Sequence, residues 1–259
     1  MENRILKYPR TPHIEGSRLQ TGDEDLSQIP FSAIAGKHIV VEEKVDGANV
    51  GISFHDGELF LQSRGHFLRG GAKEREYELF KVWANSKRDE LYEILGERYI
   101  MYGEWLYRKH KVYYNSLSHY FLEFDVFDKE SGEYLDTGSR KSMLFDSCIQ
   151  SVPLLFEGKL STRERLFDLI GRSKYITEGH LSELFKVAES LGLDPKDVLL
   201  HTDGTTLVEG LYIKVEENGR VVERMKYVRH GYTQTEGTEE RWHSQTPIPN
   251  KLKNGSIFD

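Results

Sequence analysis

The sequence predicts an α+β fold, an antiparallel sheet with helices packed outside it. Three observations predict it. Apolar and polar residues alternate with period 2 towards both ends of the chain, two turn signals there close hairpins, and helical periodicity fills the stretches between.

Residues 39–44, 50–54 and 59–63 read as strands, the last two joined through His55-Asp56-Gly57-Glu58, where Asp-Gly is the turn signal. Residues 206–215 and 220–229 flank Glu216-Glu217-Asn218-Gly219, a second hairpin. Residues 99–106 and 120–127 supply further strands. Residues 73–86 read as a helix with Tyr77, Phe80 and Ala84 on one stripe. Ser161-Thr162-Arg163-Glu164 has the form of a capping box and opens a helix to about Ile170. A helix over 180–191 is stopped by Gly192 and Pro195.

The length of 259 residues suits one large domain, expected over 1–229, with a polar tail over 230–259 that packs on it or extends from it. The first twenty residues lack the apolar stretch of a secretory signal, and no run reaches the roughly 20 apolar residues of a membrane span. A lone cysteine, Cys148, in a segment that reads as an amphipathic helix, excludes a disulfide framework and suits a cytoplasmic protein. A net charge of −7 argues against a protein that coats nucleic acid indiscriminately, and leaves room for a local basic groove.

The richest segment is Glu43-Lys44-Val45-Asp46-Gly47-Ala48-Asn49. On a strand, Glu42 and Lys44 share one face, while Val41 and Glu43 take the other. A lysine amine becomes a nucleophile when its surroundings release its proton. Alone, the segment reads more readily as a solvated charged face before a tight turn. Others follow in order: Ser63-Arg64-Gly65, Tyr102-Gly103-Glu104-Trp105, Phe121-Leu122-Glu123-Phe124-Asp125, Glu209-Gly210-Leu211-Tyr212-Ile213-Lys214 and Arg224-Met225-Lys226.

Together these resemble the motifs of the covalent nucleotidyltransferases, and among them the ATP-dependent RNA ligases of the phage RNA ligase 2 type. The resemblance implies an adenylyltransferase domain of the ATP-grasp-like ligase type, without a C-terminal OB domain. It implies that Lys44 forms a phosphoramidate with AMP, with Glu43, Asp46, Gly47 and Asn49 around the nucleotide. It further implies that Arg64 meets phosphate, Glu104 the ribose or a metal-bound water, and Phe124 the purine, with Phe121 in reserve. Glu209 is implied to hold Mg²⁺ or Mn²⁺, Lys214 to bind nucleotide, and Arg224 and Lys226 to converge on the α-phosphate. Arginine at 224 departs from the usual lysine.

Strict alternation sets Glu209 and Lys214 on opposite faces, so either Gly210 sits in a bulge or Lys214 has a secondary part. Cationic neighbours are expected to lower the pKa of Lys44. The implied substrate is RNA with 5′-phosphate and 3′-hydroxyl ends, with an end-healing kinase or phosphatase as a possible partner protein and no membrane. A DNA ligase, a capping-type guanylyltransferase and a non-catalytic RNA-end binder are the alternatives. The basic aromatic stretch over 107–114, with Arg108, Lys109 and Lys111, is a candidate strand contact. The N-terminal TPHIEGSR segment is a candidate cover for the nucleotide.

Overall fold

The computed structural model describes residues 5–19, 27–232 and 246–258. Its strands are β1 (His38–Lys44), β2 (Ala48–His55), β3 (Glu58–Ser63), β4 (Tyr99–Trp105), β5 (Phe121–Asp128), β6 (Glu133–Leu135), β7 (Gln150–Ser151), β8 (Leu154–Lys159), β9 (Gly210–Glu217) and β10 (Arg220–Val228). They form one sheet in the order β3-β2-β4-β5-β6-β10-β9-β1-β8, with β7 alongside β5. All its pairings are antiparallel except that of β5 with β7.

Both hairpin signals form turns as expected, with Asp56 and Gly57 at φ 50° and 74°, and Asn218 and Gly219 at φ 54° and 83°. The first joins β2 to β3, and the second joins β9 to β10. Positive φ at both central positions matches the twist of the flanking strands.

Strand order explains how a site forms. Consecutive strands β1 and β2 are joined only by Val45-Asp46-Gly47, yet lie six strand steps apart in the sheet. Six steps across a flat sheet cover about 29 Å. The four chain steps from Lys44 to Ala48 reach about 14 Å at most. The sheet therefore curls until its two halves face one another, and residues 45–47 tie them.

Each half has its own core. In the β1-β9-β10 half, Ile39, Val41, Leu211, Ile213, Val215 and Met225 point away from Glu42 and Lys44. They pack on Ile14, on Phe31 of a 3₁₀ turn (Phe31–Ala33) and on Leu166 of α4 (Arg163–Phe167). In the other half, Val50, Ile52, Phe54 and Met101 pack with Phe80 and Trp83 of α1 (Glu78–Ser86) and Leu91 and Leu95 of α2 (Arg88–Leu95). A third cluster joins Leu184 of α5 (His180–Ser190) to Tyr113 and Ile248, with Val198 of α6 (Pro195–Leu200) against it.

Several boundaries differ from those expected. The strand expected from residue 206 begins at Gly210, because the chain before it is tied elsewhere: the Val208 amide donates to Gly171, and the Thr206 carbonyl accepts from Ser173. The helix expected from residue 73 opens as a 3₁₀ stretch (Ala72–Tyr77), in which the Glu76 carbonyl accepts from the Trp105 indole at 3.1 Å. Thr162, not Ser161, caps α4, without a side-chain bond, and α4 ends at Phe167. Cys148 lies beyond α3 (Thr137–Met143), its amide bonded to Glu90 rather than within a helix.

The tail expected over 230–259 lies partly outside the described residues. Its part over 246–258 is not merely draped on the surface. Asn250, Leu252 and Ile257 are buried, and the Leu117 amide donates to Lys251 at 2.9 Å. Among the described residues, no helix is long and apolar enough to cross a membrane.

Candidate active site

The concave side of the curled sheet carries a pocket whose wall is drawn from both halves. Lys44, the last residue of β1, stands in it, and register pairs Lys44 with Gly210 of β9. The residue before Gly210, Glu209, reaches Lys44 with Oε1 2.7 Å from Nζ. No bulge at Gly210 is needed: Glu209 precedes the strand, and β9 keeps unbroken register from Gly210 to Val215 against both neighbours. Gly210 itself lies so close to Tyr227 of β10 that no side chain fits there.

From the other half come Asn49 of β2, Arg64 after β3, Glu104 of β4 and Phe124 of β5. Lys226 of β10 completes the cationic wall. Phe121, the reserve for Phe124, is buried in the core against Phe80 and Trp83 instead.

Asp46 and Gly47 shape the tie. Asp46 Oδ2 accepts from the amides of Lys111 (2.7 Å) and Val112 (2.9 Å), and the Asp46 amide donates to the Tyr114 hydroxyl. Burial raises the Asp46 pKa, but His110, Lys44 and the two amides outweigh it and hold the carboxyl below its usual range. Gly47 is packed so closely that an added Cβ would stand 2.7 Å from the Trp105 carbonyl and from Leu106.

Three sequence expectations are corrected. Lys44 is not acidified by cations. Burial lowers its pKa, but Glu209, Glu104 and Asp46 more than reverse this, so the ammonium is held above its ordinary value. Arg224 shares the strand face of Lys226 but is not part of the pocket wall. Its guanidinium lies 3.7 Å from the centre of the Tyr134 ring, and NH1 is 3.6 Å from Asp125. Lys214 is likewise outside the wall, fully buried and bonded to Glu42 (2.7 Å), Asp125 (3.0 Å) and the Phe124 carbonyl. Both cations thus support the floor rather than face the cavity.

The Glu43 carboxylate accepts from Ser173 Oγ at 2.6 Å, on the face away from Lys44, although the residue contributes to the wall. Burial pushes its pKa up to about 7, against lowering by Ser173 and Lys174. Burial also carries Glu104 to about 7, with Lys44 and Arg64 lowering and Glu209 and Asp46 raising.

The stretch over 107–114 is not an open basic loop. Arg108, Lys109, Val112, Tyr113 and Tyr114 are buried, and Lys109 Nζ donates to the His110 carbonyl. Burial brings Lys109 down to about 7.

Other wall residues carried no motif signal. Tyr8, Arg10 and Thr11 belong to the N-terminal segment, Tyr212 to β9 beside β1, and Val152 to the link between β7 and β8, where its amide donates to Glu123. Residues 12–14 lie along β10: Lys226 donates its amide to Pro12, and its carbonyl accepts from Ile14. The segment therefore does border the pocket.

Among the described residues, no three acidic, histidine or cysteine side chains gather to hold a metal by themselves. Glu209, with Glu104 in electrostatic reach, is a donor set suited to a hard cation that takes its remaining oxygens from a phosphate ligand.

The fold is similar to that of solved RNA ligases. A lysine-to-alanine variant of Naegleria gruberi RNA ligase with ATP and Mn superposes with a TM-score of 0.51 at 17% identity, over 86% of this chain and 60% of that one. An apo variant of the same ligase gives 0.51 at 19% identity, over 85% and 60%. A third, again with ATP and Mn, gives 0.50 at 18%, over 78% and 52%. The chain thus spans less than two thirds of their length. No curated protein matches the sequence. The chain belongs to the RNA ligase family, whose model matches residues 37–228.

Proposed function

We propose that the protein is an ATP-dependent RNA ligase of the phage RNA ligase 2 type and that Lys44 is its adenylate carrier. The observation carrying this reading is the placement of Lys44 Nζ, 2.7 Å from Glu209, in a pocket also walled by Arg64, Glu104, Phe124 and Lys226.

In the first step the Lys44 amine, having released its proton, attacks the α-phosphorus of ATP. The P–N bond forms, and the bond to pyrophosphate breaks. Lys226 and Arg64 set positive charge near the phosphate oxygens. Phe124 offers an apolar face to the base. Next, an oxygen of an RNA 5′-phosphate attacks the same phosphorus, and Lys44 leaves and is reprotonated. Last, an RNA 3′-hydroxyl attacks the activated 5′-phosphate, and AMP departs with the bridging oxygen. A divalent cation held by Glu209 and the nucleotide phosphates would neutralise phosphate charge and compete with Lys44 for that carboxylate.

The test is incubation with α-labelled ATP or GTP and Mg²⁺ or Mn²⁺, for wild type and Lys44→Ala, followed by sealing of 5′-phosphate and 3′-hydroxyl RNA strands. Label from ATP on wild type only, with sealing, is the expected result. Label from GTP alone would turn the reading towards capping chemistry, and none from either towards an RNA-end binder. Labelling without sealing by the purified chain would call for a partner that supplies the rest of the substrate surface.

A further inference from the structure

With the 107–114 stretch largely buried, a more open basic surface borders the pocket elsewhere. After β3 the chain doubles back on the strand edge. The Ser63 amide donates to the His66 carbonyl (2.9 Å), and the Leu68 amide to Leu61 (2.8 Å). This return sets the Phe67 ring 5.5 Å from that of Phe60. By alternation Phe60 shares a face with Gln62, whose side chain donates to Leu6, beside exposed Lys7. The same loop presents Arg64, at the pocket wall, and Arg69, whose guanidinium lies 5.6 Å from the centre of the Phe67 ring.

Arg64 and Arg69 are exposed, and among the described residues no carboxylate lies within ion-pairing distance of either. Residues 64–71 contain no acid, and Glu74 in the 3₁₀ stretch that follows is otherwise engaged. It accepts from the amides of Arg69 (3.2 Å) and Gly70 (2.7 Å) and pairs with Lys81 at 2.9 Å. Ser63 Oγ meets His66 Nδ1 at 3.0 Å and fixes the first turn. The backbone is thus held while the cations are left for an external anion, in a chain of net charge −7. Cations beside half-buried aromatic rings fit a backbone of phosphates with unpaired bases.

We propose that Phe60, Phe67 and Arg69, continued by Arg64, form a track for an unpaired RNA strand leading to the pocket. This rests on the RNA ligase reading above. Phosphates would lie against Arg69 and Arg64, and bases against the phenylalanine rings.

The test is fluorescence anisotropy with a labelled single-stranded 5′-phosphate RNA of about 12 nucleotides, a length within the usual site sizes. Wild type, Phe67→Ala, Arg69→Ala and Arg69→Glu are compared at several salt concentrations, alongside self-labelling with ATP. We expect Phe67→Ala to bind about tenfold more weakly. Arg69→Ala should flatten the slope of log affinity against log salt by about 0.7. Arg69→Glu should lose more than Arg69→Ala, with self-labelling unchanged in every variant. Affinity and salt slope equal to wild type in both Arg69 variants would overturn the track, as would binding of duplex but not single-stranded RNA. Arg69 variants that lose self-labelling while binding RNA normally would also overturn it. Absence of self-labelling in wild type would instead count against the ligase reading and leave the binding result to be judged alone.

Discussion

Lys44 Nζ lies 2.7 Å from Glu209 Oε1, joining the end of β1 to the residue just before β9. The pair holds a proton on the atom proposed as nucleophile, so Glu209 governs when that amine is free. In the protein without nucleotide, Lys44 should titrate above an ordinary lysine. Glu209→Gln removes the strongest raising neighbour and leaves burial, which lowers. The midpoint for reaction of Lys44 with an amine reagent, followed by mass spectrometry against pH, should therefore fall in the variant. An unmoved midpoint would refute this role. The linked stability is present below the unfolded lysine pKa and disappears as pH rises through the folded one.

Glu43 shifts the same way for a different reason, since burial penalises its charged form. Its pKa rises from 4.5 to about 7 on folding, so the native state binds more protons across that window and stability falls as pH rises through it. Glu43→Gln can still accept the Ser173 hydroxyl and has no charge to bury. Urea unfolding should find the variant more stable than wild type at pH 8, by up to about 3 kcal/mol, with the gap closing towards pH 5. An equal gap at both values would rule out ionisation as the cause.

Arg140 of α3 binds Glu42 at 2.5 Å and Glu123 at 2.7 Å, all three buried. Arg140→Met would leave two carboxylates without their shared cation and should cost about 3–5 kcal/mol in denaturant unfolding. Arg140→Lys should recover only part of it, since one ammonium lacks the fork that reaches both acids. Full recovery by lysine would show that charge alone matters there.

Gly47→Ala should destabilise by about 1–3 kcal/mol, because the new methyl meets the Trp105 carbonyl and Leu106. It would also press on the Glu104 side chain, 2.9 Å away, so self-labelling should fall further than stability alone explains. A thermal melt together with a labelling time course separates the two.

Sequence reading placed the strands and hairpins that local chemistry dictates. Alternation marks β1 and β2, and Asn218-Gly219 can turn where few other pairs can. It missed β8, where exposed Leu154 and mixed polarity break the period, and α3, whose buried polar anchors, Thr137 and Arg140, have meaning only through strands far away in sequence. In the site, motif order led to Lys44, Glu104 and Phe124, which the fold brings to one pocket. Lys214 takes the secondary part that alternation leaves open to it, and Arg224 turns to Tyr134 and Asp125, because sharing a strand face with Lys226 does not decide which cavity a long cation reaches. Tyr8 and Tyr212 line the wall through tertiary approach, for which no spacing rule exists. The 107–114 stretch shows the same limit, since composition does not separate a basic surface from a buried one.

The three residues between β1 and β2 do two jobs with one length of chain: they close the curled sheet, and they carry Asp46, whose charge acts on Lys44, and the tightly packed Gly47. The connection is therefore a gauge. Adding a residue would let the halves part and would turn Asn49 away from the cavity, and removing one would draw Lys44 out of register with Gly210. Elsewhere the fold can absorb insertions in its loops, but here chain length is itself a constraint, because the distance between two sheet halves and the aim of a side chain are set together.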